Sequence, residues 1–177
     1  MEDVTLIEAT LAGNVEAFGK LVATYQHSLV ATARHLTRST EDAEDLAQDA
    51  LVDAYRNLRA LQDRTKFRAW LFGILRHKCL TYLKRLKPEN VRLDDVSDFL
   101  AAPTHDDGVD VAELLDGLPL VYREILAARY LQELSYEEIA ETLGESVTTV
   151  RVRCCRARER LRTLFAARSQ AEGGASC

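Results

Sequence analysis

Apolar residues recur at helical spacing along nearly the whole chain, and no segment sustains the alternation of a half-buried strand, so an all-α fold is predicted. The first clear helix is predicted from about Val15 to Leu36, with Phe18, Leu21, Val22, Tyr25, Leu29 and Ala33 along one stripe. Ser39, followed three positions later by Asp42, has the form of a capping box. It opens a second helix reaching about Leu61, with Ala43, Leu46, Ala50, Ala54 and Leu58 at core spacing. After the polar break Gln62-Asp63-Arg64-Thr65, a third helix from about Lys66 to Leu86 turns Trp70, Leu71, Ile74, Leu75, Leu80 and Leu83 inward. Pro88 ends this block. Further helices are predicted over about Val111–Asp116, Pro119–Leu131, Ser135–Leu143 and Val147–Arg168, with a flexible tail over 169–177. The resulting architecture is two small helical domains, 1–87 and 111–168, joined by a linker over 88–110.

The second domain contains a helix-turn-helix. Ser135-Tyr136-Glu137-Glu138 is a capping box, a serine N-cap with glutamate three positions on. Ile139, Ala140 and Leu143 continue its buried face, and Gly144 stands where a helix C-terminus takes a left-handed residue. Ser146 then caps the next helix. A short glycine-containing turn between two well-started helices is the form of the DNA-binding motif, and small Ala140 suits the close approach of crossing helices. Dividing the second helix by its 100° step puts Val150, Cys154, Ala157, Leu161, Leu164 and Phe165 on a core face. Thr148, Thr149, Arg151, Val152, Cys155, Arg156 and Glu159 point the other way. A helix in the major groove reads bases with exposed N-terminal residues and holds phosphates with flanking arginines. Thr148, Arg151, Val152, Cys155 and Arg156 are therefore base-proximal candidates, and Arg153, Arg158, Arg160 and Arg162 phosphate candidates. Exposed Val152 has little structural purpose but matches a thymine methyl.

Charge distribution changes the picture given by the total. The net charge is −5, which alone argues against nucleic acid. Residues 1–87 carry 13 Lys/Arg against 11 Asp/Glu, residues 111–177 carry 9 against 10, and residues 88–110 carry one against seven. The negative excess thus sits in the linker, which also holds two of the three prolines. From Arg56 to Lys87 there are ten basic residues and one acid, and from Arg151 to Arg162 six arginines and one acid. Two local basic surfaces in an acidic chain suit binding to phosphate backbones at chosen places, whereas each run alone is equally compatible with a solvated helix face.

Composition excludes several classes. No apolar run is long enough to cross a bilayer, and the N-terminal MEDVTLIEATLAG is acidic and lacks a signal-peptide core, so a cytoplasmic protein is expected. The four cysteines, Cys79, Cys154, Cys155 and Cys177, form no CxxC pair and no zinc-finger spacing, and no metal or other cofactor is expected. No nucleophile elbow, phosphate-cradling glycine loop or HExxH occurs, which points away from an enzyme.

The two halves together resemble the extracytoplasmic-function (ECF) group of the sigma-70 family of bacterial RNA polymerase sigma factors. In the first half the resemblance rests on Asp42-Ala43-Glu44-Asp45-Leu46-Ala47-Gln48-Asp49-Ala50-Leu51-Val52-Asp53-Ala54-Tyr55 and on Phe67-Arg68-Ala69-Trp70-Leu71-Phe72-Gly73-Ile74-Leu75-Arg76. In the second it rests on Leu118-Pro119, Leu134-Ser135-Tyr136-Glu137-Glu138-Ile139-Ala140, Val150-Arg151-Val152-Arg153 and Arg156-Ala157-Arg158-Glu159-Arg160-Leu161. It covers about residues 15–167. The resemblance implies that Asp45, Gln48, Asp49 and Asp53 dock on the clamp coiled coil of the largest polymerase subunit, with a second contact to the polymerase flap. It implies that Leu61–Lys87 melts and reads the minus-ten promoter element, with Arg64, Lys66, Arg68, Arg76, His77, Lys78, Lys84 and Arg85 on DNA and the Gln62–Thr65 loop placed for an extruded base. Trp70, at helical spacing with Leu71 and Ile74, reads better as core than as a base-stacking ring. Residues Thr148, Thr149, Arg151, Val152, Arg153, Cys155, Arg156, Arg158 and Arg160 would meet the minus-thirty-five element. The acidic linker resembles the segment such factors thread through the polymerase, and an anti-sigma factor is the implied regulator, the only route to any membrane contact.

Family members commonly carry asparagine where this chain has His77, and Val152 with Cys154-Cys155 also departs from the usual pattern, so the promoter sequence does not transfer. Three other functions stay open at this point: a dimeric helix-turn-helix regulator acting without polymerase, a sigma-like decoy that sequesters an anti-sigma factor, which the basic clusters disfavour, and a redox or metal sensor using Cys154, Cys155 and Cys177.

Overall fold

The structure is a computed structural model that describes residues 2–86, 115 and 117–173, with side chains through Ala167. Among the described residues seven α-helices occur: α1 (Glu2–Leu11), α2 (Val15–Thr37), α3 (Thr40–Asn57), α4 (Phe67–Leu86), α5 (Leu120–Leu126), α6 (Tyr136–Leu143) and α7 (Val147–Gly173). The predicted linker, and all of the predicted helix Val111–Asp116 except the helical residue Leu115, lie outside the described residues.

Helix starts follow the local chemistry. Asn14 caps α2 by accepting from the Ala17 amide, and Ser39 caps α3 by accepting from the Asp42 amide. The Asp42 carboxylate does not complete a box with Ser39; it accepts from the Tyr82 hydroxyl at 2.6 Å. The α2–α3 pair packs closely because α3 presents alanine at 43, 47, 50 and 54, all 0–1% exposed, to Leu21, Tyr25, Leu29 and Ala33 of α2. Small residues at i, i+4 and i+7 spacing let two helix axes approach. Phe67, Leu71, Leu75 and Cys79 of α4 close this first core.

Several boundaries differ from the prediction. Helix α1 precedes the first predicted helix. Ten residues are too few to hold a helix alone; Ile7 is fully buried in the first core and Tyr25 donates to the Asp3 carboxylate, so tertiary contacts stabilise it. Helix α3 ends at Asn57 and tightens into a 3-10 turn at Leu58–Ala60, while Arg64–Lys66 forms a second 3-10 turn capped by Asp63. The predicted helix from Pro119 to Leu131 divides into α5 and a π-helical turn at Ala127–Leu131. Helix α7 continues through Gly173, correcting the flexible tail at 169–173; Ser169-Gln170-Ala171-Glu172 contains no helix breaker. Phe165, expected in the core, is 49% exposed because α7 has by then passed the helices it packs against.

The two domains pack together. Phe72 and Ala69 of α4 are buried in the second core, with Leu118, Ile125, Leu134, Ile139, Val150 and Cys154. Leu120 of α5 in turn belongs to the first core. Helix α4 is therefore apolar on two faces, one for each domain, while Trp70, Ile74, Leu80 and Leu83 are half-buried at the edge of the first core. Polar cross-links complete the seam. Arg123 donates to the His35 carbonyl oxygen at 2.6 Å, and Gln132 donates to the Ser28 carbonyl oxygen at 2.9 Å and to the Thr32 hydroxyl at 2.8 Å.

Candidate nucleic-acid interface

The helix-turn-helix is built as its capping residues dictate. Ser135 accepts from the Glu138 amide at 3.1 Å while the Glu138 carboxylate accepts from the Ser135 amide at 2.8 Å, a complete capping box. Gly144 is left-handed at φ +68°, and its turn is closed by the Glu145 amide donating to the Ala140 carbonyl at 2.9 Å. Ser146 caps α7 through the Thr149 amide at 3.1 Å. Glu145 holds Arg153 at 2.8 Å, joining turn to helix. Tyr136 packs beneath the guanidinium groups of Arg129 and Arg151, 5.2 and 5.5 Å from the ring centre.

On α7 the division into faces follows the 100° step. Val150, Cys154 and Ala157 are fully buried, and Leu161 and Leu164 half-buried. Thr148, Arg151, Val152, Cys155 and Arg156 are all exposed, as are Thr149, Arg158, Arg160 and Arg162. Val152 is 46% exposed, an apolar tip among arginines. Several candidates have intramolecular duties as well: the Thr149 hydroxyl lies 2.8 Å from the Ser146 hydroxyl, exposed Arg151 lies 3.3 Å from the Glu137 carboxylate, and half-buried Arg153 is committed to Glu145.

The eight basic or imidazole candidates of the first domain separate into three groups. His77, Lys84 and Arg85 are exposed along α4, and Arg64 is half-buried. Lys78 pairs with Asp53 at 2.7 Å within the first domain. Lys66, Arg68 and Arg76 face the second domain and are each held by one of its carboxylates, Glu141 at 2.6 Å, Glu133 at 2.8 Å, and Glu124. These three, expected on DNA, instead meet carboxylates 48 to 75 residues away in sequence. Glu124 is 2% exposed; burial pushes its carboxyl above the ordinary range, against the pull of Arg76.

A groove of about 1100 Å³ runs between α3, α4 and α6. Its walls include Trp70, Ile74, His77 and Arg85 of α4, Asp49 and Asp53 of α3, and Gln62-Asp63 at one end. The half-buried Trp70 ring thus packs on Phe67, 6.0 Å between centres, with its other side toward the groove. Along α3, Asp45, Gln48 and Asp49 are exposed, with Asp53 half-buried beside Lys78. The carboxylates at 45, 49 and 53 form one stripe at i, i+4 spacing.

The chain matches the family models for Sigma-70 region 2 over residues 21–89 and Sigma-70 region 4 over residues 109–161. It is 32% identical to the ECF RNA polymerase sigma factor SigM of Mycobacterium tuberculosis, over 92% of this chain and 84% of that one. The chain belongs to the sigma-70 family, in its ECF group. It is also 31% identical to the ECF RNA polymerase sigma-E factor of Haemophilus influenzae, covering 90% of this chain and 93% of that one. Two solved structures share the fold. One is CnrH in complex with the cytosolic domain of CnrY, with a TM-score of 0.70, 29% identity and coverage of 94% and 99% of the two chains. The other is the sigma factor RpoE in complex with the anti-sigma factor NepR from Bartonella quintana, with a TM-score of 0.68, 27% identity and coverage of 84% and 96%. The sigma-factor family is one of transcription regulators. Among the described residues no helix is long and apolar enough to cross a membrane, and no His/Cys/Asp/Glu group is placed to hold a metal ion.

Cysteine chemistry is unevenly placed in this sigma factor. Cys79 and Cys154 are buried and Cys155 is exposed. Burial pushes the Cys79 thiol up to about 12, which suppresses the thiolate needed for reaction.

Proposed function

We propose that this sigma factor binds core RNA polymerase through the α3 residues Asp45, Gln48, Asp49 and Asp53 and directs initiation at promoters of two elements. Residues 111–168 recognise the minus-thirty-five element through α7, and residues 1–87 recognise and open the minus-ten element through α4 and the Gln62–Thr65 loop. The observation that carries this reading is α7: its capped N-terminal half presents Thr148, Arg151, Val152, Cys155 and Arg156 outward from a rigid helix-turn-helix. Bases are read by groups placed in this way, and phosphates by the arginines that flank them.

The α3 stripe supports docking on a basic coiled coil, since an ordered acidic face speeds and orients association with a basic one. Exposed His77 and Arg85 bordering the α4 groove, with exposed Lys84 on the same helix, suit a displaced single strand, with Trp70 at the groove wall. Kinship with factors solved in complex with anti-sigma proteins supports the same control here, for a stress or envelope regulon, with the chain acting in the cytoplasm. A dimeric operator-binding regulator is disfavoured by the α3 stripe, which such a protein has no use for.

The test is the dependence of promoter binding on core polymerase. With purified core enzyme, the chain should form a one-to-one holoenzyme and protect both promoter elements; alone it should bind the same DNA at least 100-fold more weakly. Tight specific binding by a free dimer overturns the proposal.

A further inference from the structure

Two arginines converge on Tyr136, the first residue of α6. The ζ-carbons of Arg129 and Arg151 lie 5.2 and 5.5 Å from its ring centre, inside the ~6 Å reach of a cation–π contact. The ring is itself well held. Its backbone follows the complete Ser135–Glu138 box, its half-buried body packs against the second core, and Arg129 is fixed by donating to the Leu134 carbonyl oxygen at 2.8 Å. Arg151 comes from the other helix of the motif and is 61% exposed, yet it has a second restraint. Its Nη2 lies 3.3 Å from the carboxylate of Glu137, the next residue of α6.

A long arginine on an exposed helix face otherwise samples many rotamers, and ordering it on DNA costs affinity. An exposed cation–π contact and an exposed ion pair are each weak, so together they bias Arg151 without locking it. The ring meets the guanidinium at its carbon. N–H donors other than the one facing Glu137 stay available for guanine O6 and N7, the commonest arginine contact in the major groove. Glu137 adds discrimination of a different kind. A carboxylate beside the guanidinium repels any DNA phosphate that approaches the same group, whereas a base edge carries no net charge. Such a repulsive element raises specificity by penalising the wrong contact.

We propose that Tyr136 is a positioning residue for promoter recognition: with Glu137 it presets Arg151 to read a G·C pair of the minus-thirty-five element and not a phosphate. The inference rests on the reading of α7 given under Proposed function. Tyr136 acts through Arg151 and needs no contact with DNA of its own. Specificity then depends on both helices of the motif, because α6 aims a side chain that α7 carries.

Binding of the holoenzyme to its preferred minus-thirty-five element and to every single-base-pair variant of it tests this. Arg151→Ala marks the position that Arg151 reads, as the G·C pair at which discrimination collapses. There, Tyr136→Leu should lower the ratio of matched to mismatched affinity at least fivefold, and Tyr136→Phe, which keeps the ring, should hold it within twofold of the parent. Glu137→Gln should lower the same ratio at least twofold by strengthening binding to the mismatched sites. In an Arg151→Ala background Tyr136→Leu should cost nothing further at that position, and ratios at the other positions should stay as in the parent. The proposal is overturned if Tyr136→Leu leaves the ratio unchanged, if it lowers the ratios at all positions alike, as a merely structural role would, or if Glu137→Gln has no effect. Glu137 is 63% exposed, so its variant decides the matter should Tyr136→Leu fail to fold. If Arg151→Ala leaves discrimination intact at every position, the reading of α7 falls, and this inference with it.

Discussion

Lys78 Nζ lies 2.7 Å from Asp53 Oδ2 and 4.0 Å from Asp49 Oδ2, tying the α3 face proposed for polymerase to the helix proposed for DNA. Lys78 also pulls the Asp53 carboxyl below the ordinary range, through its hydrogen bond first and its charge second. Two roles are superimposed on one pair, and a charge swap separates them. Asp53→Lys and Lys78→Asp should each lower the melting temperature. The double variant should recover that loss while remaining at least tenfold impaired in transcription, because each charge now faces the wrong partner. Recovery of both in the double variant would make the pair purely structural.

The helix-turn-helix depends on its two caps. Ser135→Ala removes one side of the capping box and should cost about 1 kcal/mol. Gly144→Ala forces a β-carbon onto a left-handed residue and should cost about 1–2 kcal/mol. For a chain of this length each corresponds to roughly 2–4 °C per kcal/mol in thermal unfolding. Calorimetry of the two variants checks both values.

Base and phosphate contacts on α7 should be distinguishable by salt. Arg158→Ala should weaken DNA binding on all sequences alike and reduce the salt slope by about 1. Arg151→Ala or Arg156→Ala should cost about 1–3 kcal/mol on the preferred sequence and relax discrimination at one position. Titrations of holoenzyme on matched and mismatched minus-thirty-five elements, at several salt concentrations, separate the outcomes.

The Tyr82–Asp42 hydrogen bond joins the end of α4 to the start of α3, and it sets a pH window. Hydrogen bonds from Ser39 and Tyr82 hold the Asp42 carboxyl below its ordinary 3.8. That contribution is complete above the unfolded value and is lost as pH falls through the folded one. The same bond, then burial, raises the Tyr82 phenol above 10.0, so its contribution is present below pH 10 and lost as pH rises through the folded value. The stability difference between the parent and Tyr82→Phe should be flat from about pH 5 to 9 and shrink at both extremes. A difference that grows in acid would contradict the bond's role.

Much of this molecule is legible in the sequence because its helices are specified locally. The Ser135–Glu138 box, Gly144 and the alternating faces of α7 are consequences of residues a few positions apart, and periodicity finds them. Helix α1 is not legible: its ten residues gain stability only by docking Ile7 and by the Asp3–Tyr25 contact across the chain. The domain seam is hidden for the same reason, since Glu133 and Glu141 are 65 and 75 residues from their partners. One signal was available. Phe72 lies off the Phe67–Leu71–Leu75 stripe, and a helix apolar on two faces must be covered on both. The basic run of α4 is therefore not wholly DNA-facing: its second face carries Phe72 into the second core and Arg76 to Glu124.

The central claim, that this chain gives polymerase its choice of promoter, is tested most directly by reconstituted transcription. Purified core enzyme, the chain and a promoter library are combined, and RNA 5′ ends are mapped with the parent and with Asp45→Lys/Asp49→Lys, two exposed positions, with thermal unfolding of the variant checking that it folds like the parent. The account predicts discrete start sites a fixed distance downstream of paired elements for the parent, and at least tenfold fewer transcripts for the variant. Transcription that is unchanged by adding the chain, or undiminished in the charge-reversed form, would contradict it.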